Sequence, residues 1–409
     1  FNNNTVSTIF LDNIYSTRRF FGIASDNSGN LYTAVGERNS IAKVSFNDEG
    51  QPYYAGNISP LDNNGDDLLS YPLELNIANG VMYISNYNSK TVDKIALGAG
   101  IEIPSEIKTQ SATFTAFKDI SFEEDETIEI KIGKLKFDCR VVGNIENELV
   151  IFLHGFPETS FMWKKLMNDL SEIGFYCAAP NLRGYSKGAC PKGKQNYILM
   201  ELANDIIEIS RHFGKSKFHL VGHDWGAAIG WKVIHDNQDT ILSWTGISVP
   251  HLQAFGDAIV NDQEQHKMSQ YIRAFQWTYL PEMKIRKNDF KLFRKFWKNS
   301  AQDEIEDYLK VFRNRKQLTA AINYYRSNYK LLKKAANAQI LGDINVPTLF
   351  IWGNKDVAIG SVSVNNSHQF MKNDYTFLEL DSGHWLIQNK YNELKKAITE
   401  HILKYNNRA

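Results

Sequence analysis

The sequence predicts an α/β protein with a doubly wound parallel sheet, a helical insertion late in that sheet, and a small all-β segment in front of it. Three observations support this prediction. From about residue 128 onward, stretches with a strand pattern alternate with stretches of helical periodicity. A long helical segment, 263–341, interrupts that alternation and is rich in Lys, Arg, Tyr and Trp. The first hundred residues instead repeat a strand–turn–strand pattern.

The individual elements follow from the apolar spacing. Two edge strands with alternating patterns come first, and continuous apolar runs typical of buried parallel strands follow. The predicted strands cover residues 128–132, 135–142, 149–153, 176–179, 218–221, 348–352 and 376–380. Helices are predicted at 161–173, 198–213 and 390–405, besides the long helical segment. Within the module 113–409, a helical region at about 252–340 is predicted to form a lid over the sheet.

An internal repeat marks residues 1–98. Its matched pairs share an offset of 51 residues: Gly29 with Gly80, Tyr32 with Tyr83, and Lys43 with Lys94. Repeats near this length, made of short antiparallel strands, are typical of propeller blades. The run Gly22-Ile-Ala-Ser-Asp-Asn-Ser-Gly-Asn-Leu-Tyr32 resembles NHL and SMP-30-type propellers over about two blades. We expect a propeller remnant, or the last part of a longer propeller, followed by a linker at 99–112.

Composition narrows the possible partners. Lys and Arg number 46, as do Asp and Glu, so the formal net charge is zero and gives no electrostatic reason to expect a nucleic-acid or membrane partner. No apolar run approaches the ~20 residues of a membrane span. The three scattered cysteines suit reduced thiols. The chain opens at Phe1, so it is processed or a fragment, and the compartment stays open, with the cytoplasm slightly favoured.

The motif Gly222-His-Asp-Trp-Gly226 directly follows a predicted strand and precedes a predicted helix. This is the G-x-S-x-G elbow of the α/β-hydrolase fold, with Asp224 where serine usually stands. A carboxylate is already ionised at neutral pH, so it can displace a leaving group at a saturated carbon and form an alkyl ester. The competing interpretation is an aspartate that only caps the helix.

Two further motifs complete a triad in the chain order of that fold. Asp356 and His384 each follow a predicted strand, where open α/β sheets build their sites. We expect His384 to activate the water that hydrolyses the ester, and Asp356 to orient it. Asp381 is the rival acid.

The segment His154-Gly-Phe-Pro157 follows another predicted strand. In this fold the backbone N–H groups here and after the nucleophile form the oxyanion hole, which points to Phe156 and Trp225. His154 itself is expected to be structural.

Four motifs together resemble the epoxide hydrolases of the α/β-hydrolase superfamily over about 114–409: His154-Gly-Phe-Pro-Glu158, Arg183-Gly-Tyr-Ser186, Gly222-His-Asp-Trp-Gly-Ala227 and Gly383-His-Trp385. The segment after Arg183-Gly-Tyr departs from the usual pattern. The resemblance implies two lid tyrosines that hydrogen-bond the epoxide oxygen, at Tyr271 and Tyr325. Tyr324 and Tyr279 stay open as alternatives. It implies a small-molecule epoxide as substrate, and no metal or organic cofactor is implied.

Two other functions remain open. A haloalkane or haloacetate dehalogenase shares the aspartate nucleophile, but haloalkane enzymes usually carry Asn at the position of Phe156 and lack the tyrosine pair. Haloacetate enzymes often carry Arg where this chain has Trp225. The other candidate is a ligand-binding protein with an inactive hydrolase half, against which the intact triad argues. The preferred epoxide and the oligomeric state do not follow from the sequence.

Overall fold

The structure is a computed structural model that describes residues 20–25, 31–35, 40–46, 52–58, 72–78, 81–86, 91–96 and 126–406. Internal contacts divide the chain into two units, Phe1–Asp119 and Ile120–Ala409. Each unit is described by itself. The predicted linker at 99–112 lies outside the described residues.

The described residues of the first unit form two antiparallel sheets. The first has the strand order β1-β2-β3-β4 and the second β5-β6-β7, so each sheet is a simple meander. The strands are β1 (Phe20–Ser25), β2 (Leu31–Val35), β3 (Ser40–Phe46), β4 (Pro52–Ile58), β5 (Pro72–Ala78), β6 (Val81–Asn86) and β7 (Thr91–Ala96).

The sequence repeat appears in the strand register of this unit. Tyr32 on β2 pairs with Lys43 on β3, and the repeat partner Tyr83 on β6 pairs with Lys94 on β7. Residues 51 positions apart therefore occupy matching places in the two sheets. Gly29 and Gly80, the third matched pair, lie outside the described residues.

The second unit is built on an eight-stranded sheet of order β15-β14-β13-β12-β10-β11-β9-β8. β9 runs antiparallel to both of its neighbours, β8 and β11, and the other seven strands share one direction. The strands are β8 (Glu126–Ile132), β9 (Leu135–Val142), β10 (Glu148–Leu153), β11 (Phe175–Pro180), β12 (Phe218–His223), β13 (Ile241–Ile247), β14 (Thr348–Gly353) and β15 (Tyr375–Leu380). The predicted α/β architecture is confirmed for this unit.

Burial explains why the central strands read as apolar runs. Every residue of β11, β12 and β14 is buried, because helices cover the sheet on both faces. The helices outside the long insertion are α1 (Lys164–Glu172), α2 (Leu199–His212), α3 (Trp225–Asp236), α10 (Ser361–Asn366), α11 (Leu386–Asn389) and α12 (Tyr391–Lys404). α3 is apolar on nearly all sides, as a helix packed in the middle of the unit must be.

A helical insertion, residues 252–334, separates β13 from β14. It comprises α4 (Leu252–Asn261), α5 (Gln263–Met268), α6 (Gln270–Ala274), α7 (Leu280–Phe296), α8 (Gln302–Phe312) and α9 (Arg315–Lys334). The insertion begins at residue 252, one helix before the long helical segment 263–341 that was predicted from the sequence. α7 is interrupted at 287–290, where three consecutive residues have positive φ, so its two helical pieces meet at a bend.

β13 (Ile241–Ile247) is not predicted from the sequence. Its residues Ser243 and Thr245 place hydroxyls within an otherwise apolar run, which hides the pattern of a buried strand. Ser243 is nevertheless buried, and its hydroxyl lies 2.7 Å from Nδ1 of His219 on the neighbouring strand β12. The buried Ser243 hydroxyl thus has a hydrogen-bond partner, but the sequence alone does not show that β12 and β13 are neighbours in the sheet.

None of the described helices combines the length and the apolar character that crossing a membrane requires. Within that same part of the chain, no group of three or more His, Cys, Asp or Glu is arranged to hold a metal ion.

Candidate active site

Asp224 occupies the sharp turn between β12 and α3. Its backbone has φ 51° and ψ −118°, a combination that non-glycine residues rarely adopt. The turn is possible because glycines surround it. A Cβ on Gly226 would lie 2.0 Å from the carbonyl oxygen of Leu153, and a Cβ on Gly155 would lie 2.4 Å from Cβ of Asp224. The elbow predicted from the sequence motif is therefore present.

The turn leaves the Asp224 carboxylate nearly buried but available to the neighbouring cavity. Its side chain makes no capping hydrogen bond to α3, so the competing interpretation as a helix cap does not describe it. The backbone N–H of Phe156 donates to Oδ1 at 2.7 Å. Oδ2 lies 3.4 Å from Nε2 of His384. Trp225 begins α3, and its backbone N–H stays a predicted second donor.

His384 lies between two carboxylates. Its Nδ1 is 2.8 Å from Oδ2 of Asp356, while its Nε2 faces Asp224. The other oxygen of Asp356 accepts the backbone N–H groups of Ala358 at 2.7 Å and Ile359 at 3.1 Å. The three residues predicted as a triad are thus brought together, with the imidazole able to move protons only on the Asp224 side.

Neighbouring charges set the protonation states of His384 and Asp356. Burial by itself would lower the pKa of His384, but the Asp356 and Asp224 carboxylates raise it well above its ordinary value. Burial would likewise raise the pKa of Asp356, yet the His384 imidazole and the hydrogen bonds to the carboxylate hold it below its ordinary value. Asp356 is therefore ionised and His384 is protonated while both carboxylates carry charge.

Asp381, the rival acid, lies elsewhere. It is exposed at the surface and forms an ion pair of 2.6 Å with Lys355. The ring nitrogens of His384 instead contact Asp356, Asp224 and Ser248. The geometry favours Asp356 as the orienting acid.

Ser248 is a site residue that the sequence analysis missed. It follows β13 with a φ of 70°, and its hydroxyl donates to Oδ2 of Asp356 at 2.7 Å. The same oxygen lies 2.9 Å from Nδ1 of His384. The signal that could have found it is its place at the carboxyl end of a central strand, but β13 itself was not recognised.

A buried pair behind the triad was also missed. His223, next to Asp224 in the chain, has Nε2 2.9 Å from the backbone oxygen of His384. Its Nδ1 lies 3.2 Å from Oε2 of Glu158, and both side chains are fully buried. Gln388 donates to the other oxygen of Glu158 at 2.8 Å. This pair ties the backbone of His384 to the strand that carries the nucleophile.

His154 has the role of a structural histidine in this geometry. Its Nε2 accepts the backbone N–H of Leu182 at 3.1 Å, so its Nδ1 carries the proton and donates to the backbone oxygen of Gly155 at 3.0 Å. Complete burial lowers its pKa to about 4, which keeps the ring neutral.

Tyr271 and Tyr325 face the nucleophile across a cavity. They come from α6 and α9, their rings are 5.8 Å apart, and both line the cavity together with Asp224 and Trp225. Burial is the main cause that raises both phenol pKa values above the ordinary one, and the negative charge of Asp224 adds to it. Both hydroxyls therefore stay protonated at neutral pH and can donate hydrogen bonds.

The two alternative tyrosines lie differently. The Tyr324 hydroxyl is buried and donates to the backbone oxygen of Arg183 at 2.6 Å, so its proton is already engaged. Tyr279 is 75% exposed on the surface. Although Tyr324 and Tyr325 are neighbours in the chain, successive positions on a helix point about 100° apart, and only Tyr325 lines the cavity.

The rest of the cavity is almost wholly apolar. Asn328 is the polar exception, but its side chain is held by the backbone of Leu199, Tyr197 and Tyr324. The apolar lining consists of Leu199, Ala228, Val249, Leu252, Phe255, Ile272, Leu331, Leu332 and Ile359. Such a cavity favours an apolar ligand with one polar atom that can meet the tyrosines and the carboxylate.

Sequence comparisons relate this chain to known proteins. The sequence matches the family described as alpha/beta hydrolase fold over residues 148–391, more than half of the chain. Epoxide hydrolase 3 of Xenopus tropicalis is 26% identical over 287 residues, covering 67% of this chain and 77% of that protein. The AB hydrolase superfamily protein YfhM of Bacillus subtilis is 27% identical over 266 residues, covering 64% of this chain and 92% of that protein.

Solved structures show the same fold. The crystal structure of Bacillus megaterium epoxide hydrolase in complex with an inhibitor superposes with a TM-score of 0.62 at 24% identity, covering 67% of this chain and 99% of that one. With the eight-stranded sheet, the elbow and the family match together, the chain belongs to the α/β-hydrolase fold family.

Proposed function

We propose that this chain hydrolyses an epoxide to a vicinal diol through an alkyl-enzyme ester on Asp224. One observation carries the proposal: a carboxylate nucleophile on the elbow faces two protonated tyrosines across an apolar cavity, with a histidine behind it. Relatives named epoxide hydrolase support it. A carboxylate attacks a saturated carbon, and the tyrosines supply donors for the oxygen that leaves it.

Ring opening is the first step. Oδ1 of Asp224 is held by the Phe156 N–H, so Oδ2 is the oxygen free to attack an epoxide carbon. The new bond joins Oδ2 to that carbon while the carbon–oxygen bond of the ring breaks. The electron pair goes to the epoxide oxygen, which takes hydrogen bonds and then a proton from Tyr271 or Tyr325.

Ester hydrolysis is the second step. Ester formation removes the charge of Asp224, so one of the two carboxylates that raise the pKa of His384 is gone. The imidazolium can then give up its Nε2 proton, which replaces the proton that the tyrosine lost in ring opening. The neutral imidazole takes a proton from water at Nε2, and the hydroxide attacks the carbonyl carbon of the ester. The Phe156 N–H, with Trp225 as the predicted second donor, stabilises the negative charge that forms on the carboxyl oxygen. When the intermediate collapses, the bond between the carbonyl carbon and the alcohol oxygen breaks, that oxygen takes the proton from His384, and the diol is released.

We propose that the helical insertion is the lid of this site. α6 and α9 supply Tyr271 and Tyr325. Aromatic rings of the insertion also pack edge-on against Phe156, with Phe275 at 5.8 Å, Phe293 at 5.4 Å and Phe312 at 6.1 Å between ring centroids. A roof of this kind excludes water from the nucleophile, which strengthens every interaction inside.

We propose that residues 1–98 are propeller-like blades. The support is the matching register of Tyr32 with Lys43 and of Tyr83 with Lys94 in two antiparallel meanders.

A substrate panel tests the proposed reaction. Purified protein is incubated with apolar epoxides and with haloalkanes of matched carbon skeleton, and diol and released halide are both quantified. We expect diol from the epoxides and no comparable halide release. Halide release without diol would assign the chain as a dehalogenase, and absence of both would support the binding-protein alternative. Asp224→Ala is the control that separates catalysis from background hydrolysis.

A further inference from the structure

The helical insertion carries a strong positive charge, which is not apparent from the zero net charge of the whole chain. Residues 252–334 contain 17 Lys and Arg against 9 Asp and Glu, a formal charge of +8 in a chain whose formal net charge is zero. The remainder of the chain therefore carries −8. A separation of this size creates a field that attracts anions to one part of the molecule.

Much of this charge lies in and directly after α7. Five lysines there are exposed, and the structure gives none of them an ion partner among the described residues: Lys284, Lys287, Lys291, Lys295 and Lys298. The two acids of the same stretch are both engaged, Glu282 with Arg326 at 2.8 Å and Asp289 with Arg294 at 2.6 Å. The lysines thus present uncompensated charge.

Apolar side chains stand among these lysines. Trp277 is 67% exposed, Tyr279 75% and Met283 66%, and Leu280 and Leu292 are exposed as well. On the first helical piece, residues 280–286, Leu280, Met283 and Lys284 follow the i, i+3, i+4 spacing of one helix face. We call these five apolar residues and the five lysines the outer face of α7.

Other side chains of α7 and of the residue after it pack in the core of the unit. Ile285, Phe290, Phe293 and Trp297 are buried, and Phe293 packs on Phe156 in the active site. The packing of the insertion thus uses these residues, while the outer face stays exposed to solvent. Large apolar side chains exposed next to each other on a protein surface mark a site of association.

We propose that the outer face of α7 binds an anionic lipid surface. Tryptophan and tyrosine favour the boundary between headgroups and acyl chains, because their rings are apolar and each carries one polar group. Exposed lysines around them are attracted by anionic headgroups, and a basic amphipathic helix lies in that boundary. The surface is thus complementary in both charge and polarity.

Other occupants match less well. A two-fold contact with a second copy would bring five lysines against five, which repel each other. A nucleic acid would satisfy the lysines but would leave Leu280, Met283 and Leu292 without apolar partners.

Vesicle binding by the full chain tests the proposal. The protein is co-sedimented with phosphatidylcholine vesicles that contain or lack phosphatidylglycerol. We expect binding only with phosphatidylglycerol, and its loss at high salt because salt screens exposed charges. Replacing the five lysines with glutamine should lower the partition coefficient at least about tenfold. The matched control replaces five exposed lysines outside the insertion, Lys131, Lys134, Lys187, Lys192 and Lys217, and should bind as the wild type does.

Tryptophan fluorescence supplies a second readout. Trp277 alone among the eight tryptophans is exposed, so brominated lipids should quench its emission and Trp277→Phe should abolish that quenching. Leu280→Ser with Met283→Ser should weaken binding while circular dichroism stays unchanged. Equal binding by the five-lysine variant and its control would overturn the proposal. Absence of wild-type binding to both vesicle types would also overturn it. If the wild type then dimerised with increasing concentration and the serine variant did not, the outer face of α7 would be assigned to contact with a second copy.

Discussion

At the scale of single residues, the protonation of His384 links the two halves of the proposed reaction. In the free site its ring faces Asp356 at 2.8 Å and Asp224 at 3.4 Å, and the two carboxylates raise its pKa against the effect of burial. Conversion of Asp224 to an ester removes one of these charges. The histidine therefore becomes a base after the nucleophile has reacted, when a base is needed.

This order of events predicts how pH separates the two steps. In the ester the Asp356 carboxylate still raises the pKa of His384, so acid keeps the imidazole protonated and slows hydrolysis of the ester. Alkylation needs only the Asp224 carboxylate, so it still proceeds at pH values at which hydrolysis of the ester is slow. We expect the alkyl-enzyme to accumulate as pH falls, which rapid-quench mass spectrometry measures. An ester level that does not change with pH would show that His384 is not the base.

The two tyrosines are expected to act on ring opening. Tyr271→Phe or Tyr325→Phe removes one donor to the developing alkoxide, and a donor of this kind contributes on the order of a hundredfold in rate. Steady-state turnover of one epoxide measures the loss, and the double variant should be nearly inactive. Tyr279→Phe, at an exposed position, is the matched control and should keep full activity. Full activity of both single variants would show that neither residue is the donor.

The sequence favours Tyr325 over Tyr324 and Asp356 over Asp381, but the physical reason for each choice comes from packing. Tyr324 and Tyr325 are adjacent in the segment Asn323-Tyr-Tyr-Arg326. The hydroxyl of Tyr324 is engaged by the backbone of Arg183, while Tyr325 lines the cavity. Asp381 forms a surface ion pair with Lys355, which the sequence does not show.

At the scale of elements, the elbow depends on the close approach of α3 to β10. A Cβ on Gly226 would meet the Leu153 carbonyl at 2.0 Å, and backbone atoms cannot yield as a flexible side chain can. We expect Gly226→Ala to lower the free energy of unfolding by at least about 2 kcal/mol, which denaturant titration measures. Gly360→Ala, whose Cβ would make an ordinary contact at 3.4 Å, is the control. Equal stability of the two variants would mean that the elbow is looser than this packing indicates.

The elements that were predicted well share one property. β10, β12 and β14 are buried on both faces, so nearly every residue is apolar and the strands stand out from the sequence. β13 occupies the same part of the sheet but contains two hydroxyls, of which that of Ser243 has a partner on the neighbouring strand. Missing it also meant missing Ser248 at its end, which touches both Asp356 and His384.

At the scale of the whole molecule, the total charge was a misleading guide. A formal net charge of zero gives no reason to expect an anionic partner, yet it is the sum of +8 on the helical insertion and −8 elsewhere. Charge counted element by element would have indicated the basic surface from the sequence alone. Which lysines are exposed beside Trp277 and Met283 required the fold.

The two units lead to a prediction about truncation. The triad, the tyrosines and the cavity all belong to the unit Ile120–Ala409. A truncated protein that begins at Ser111 should therefore fold and keep the kcat of the full chain on one epoxide. Circular dichroism and thermal unfolding establish that it is folded. Loss of turnover in a folded truncated protein would show that the N-terminal unit contributes to the site.

The most direct test of the covalent mechanism uses His384→Gln. This variant keeps the nucleophile but lacks the base, so it should consume about one equivalent of epoxide and stop. Asp224→Ala should form no adduct. We predict that intact mass spectrometry shows the His384→Gln protein heavier by one substrate, with peptide mapping placing the adduct on Asp224. Unmodified protein accompanied by continuing diol formation would contradict the account, because water would then attack the epoxide directly.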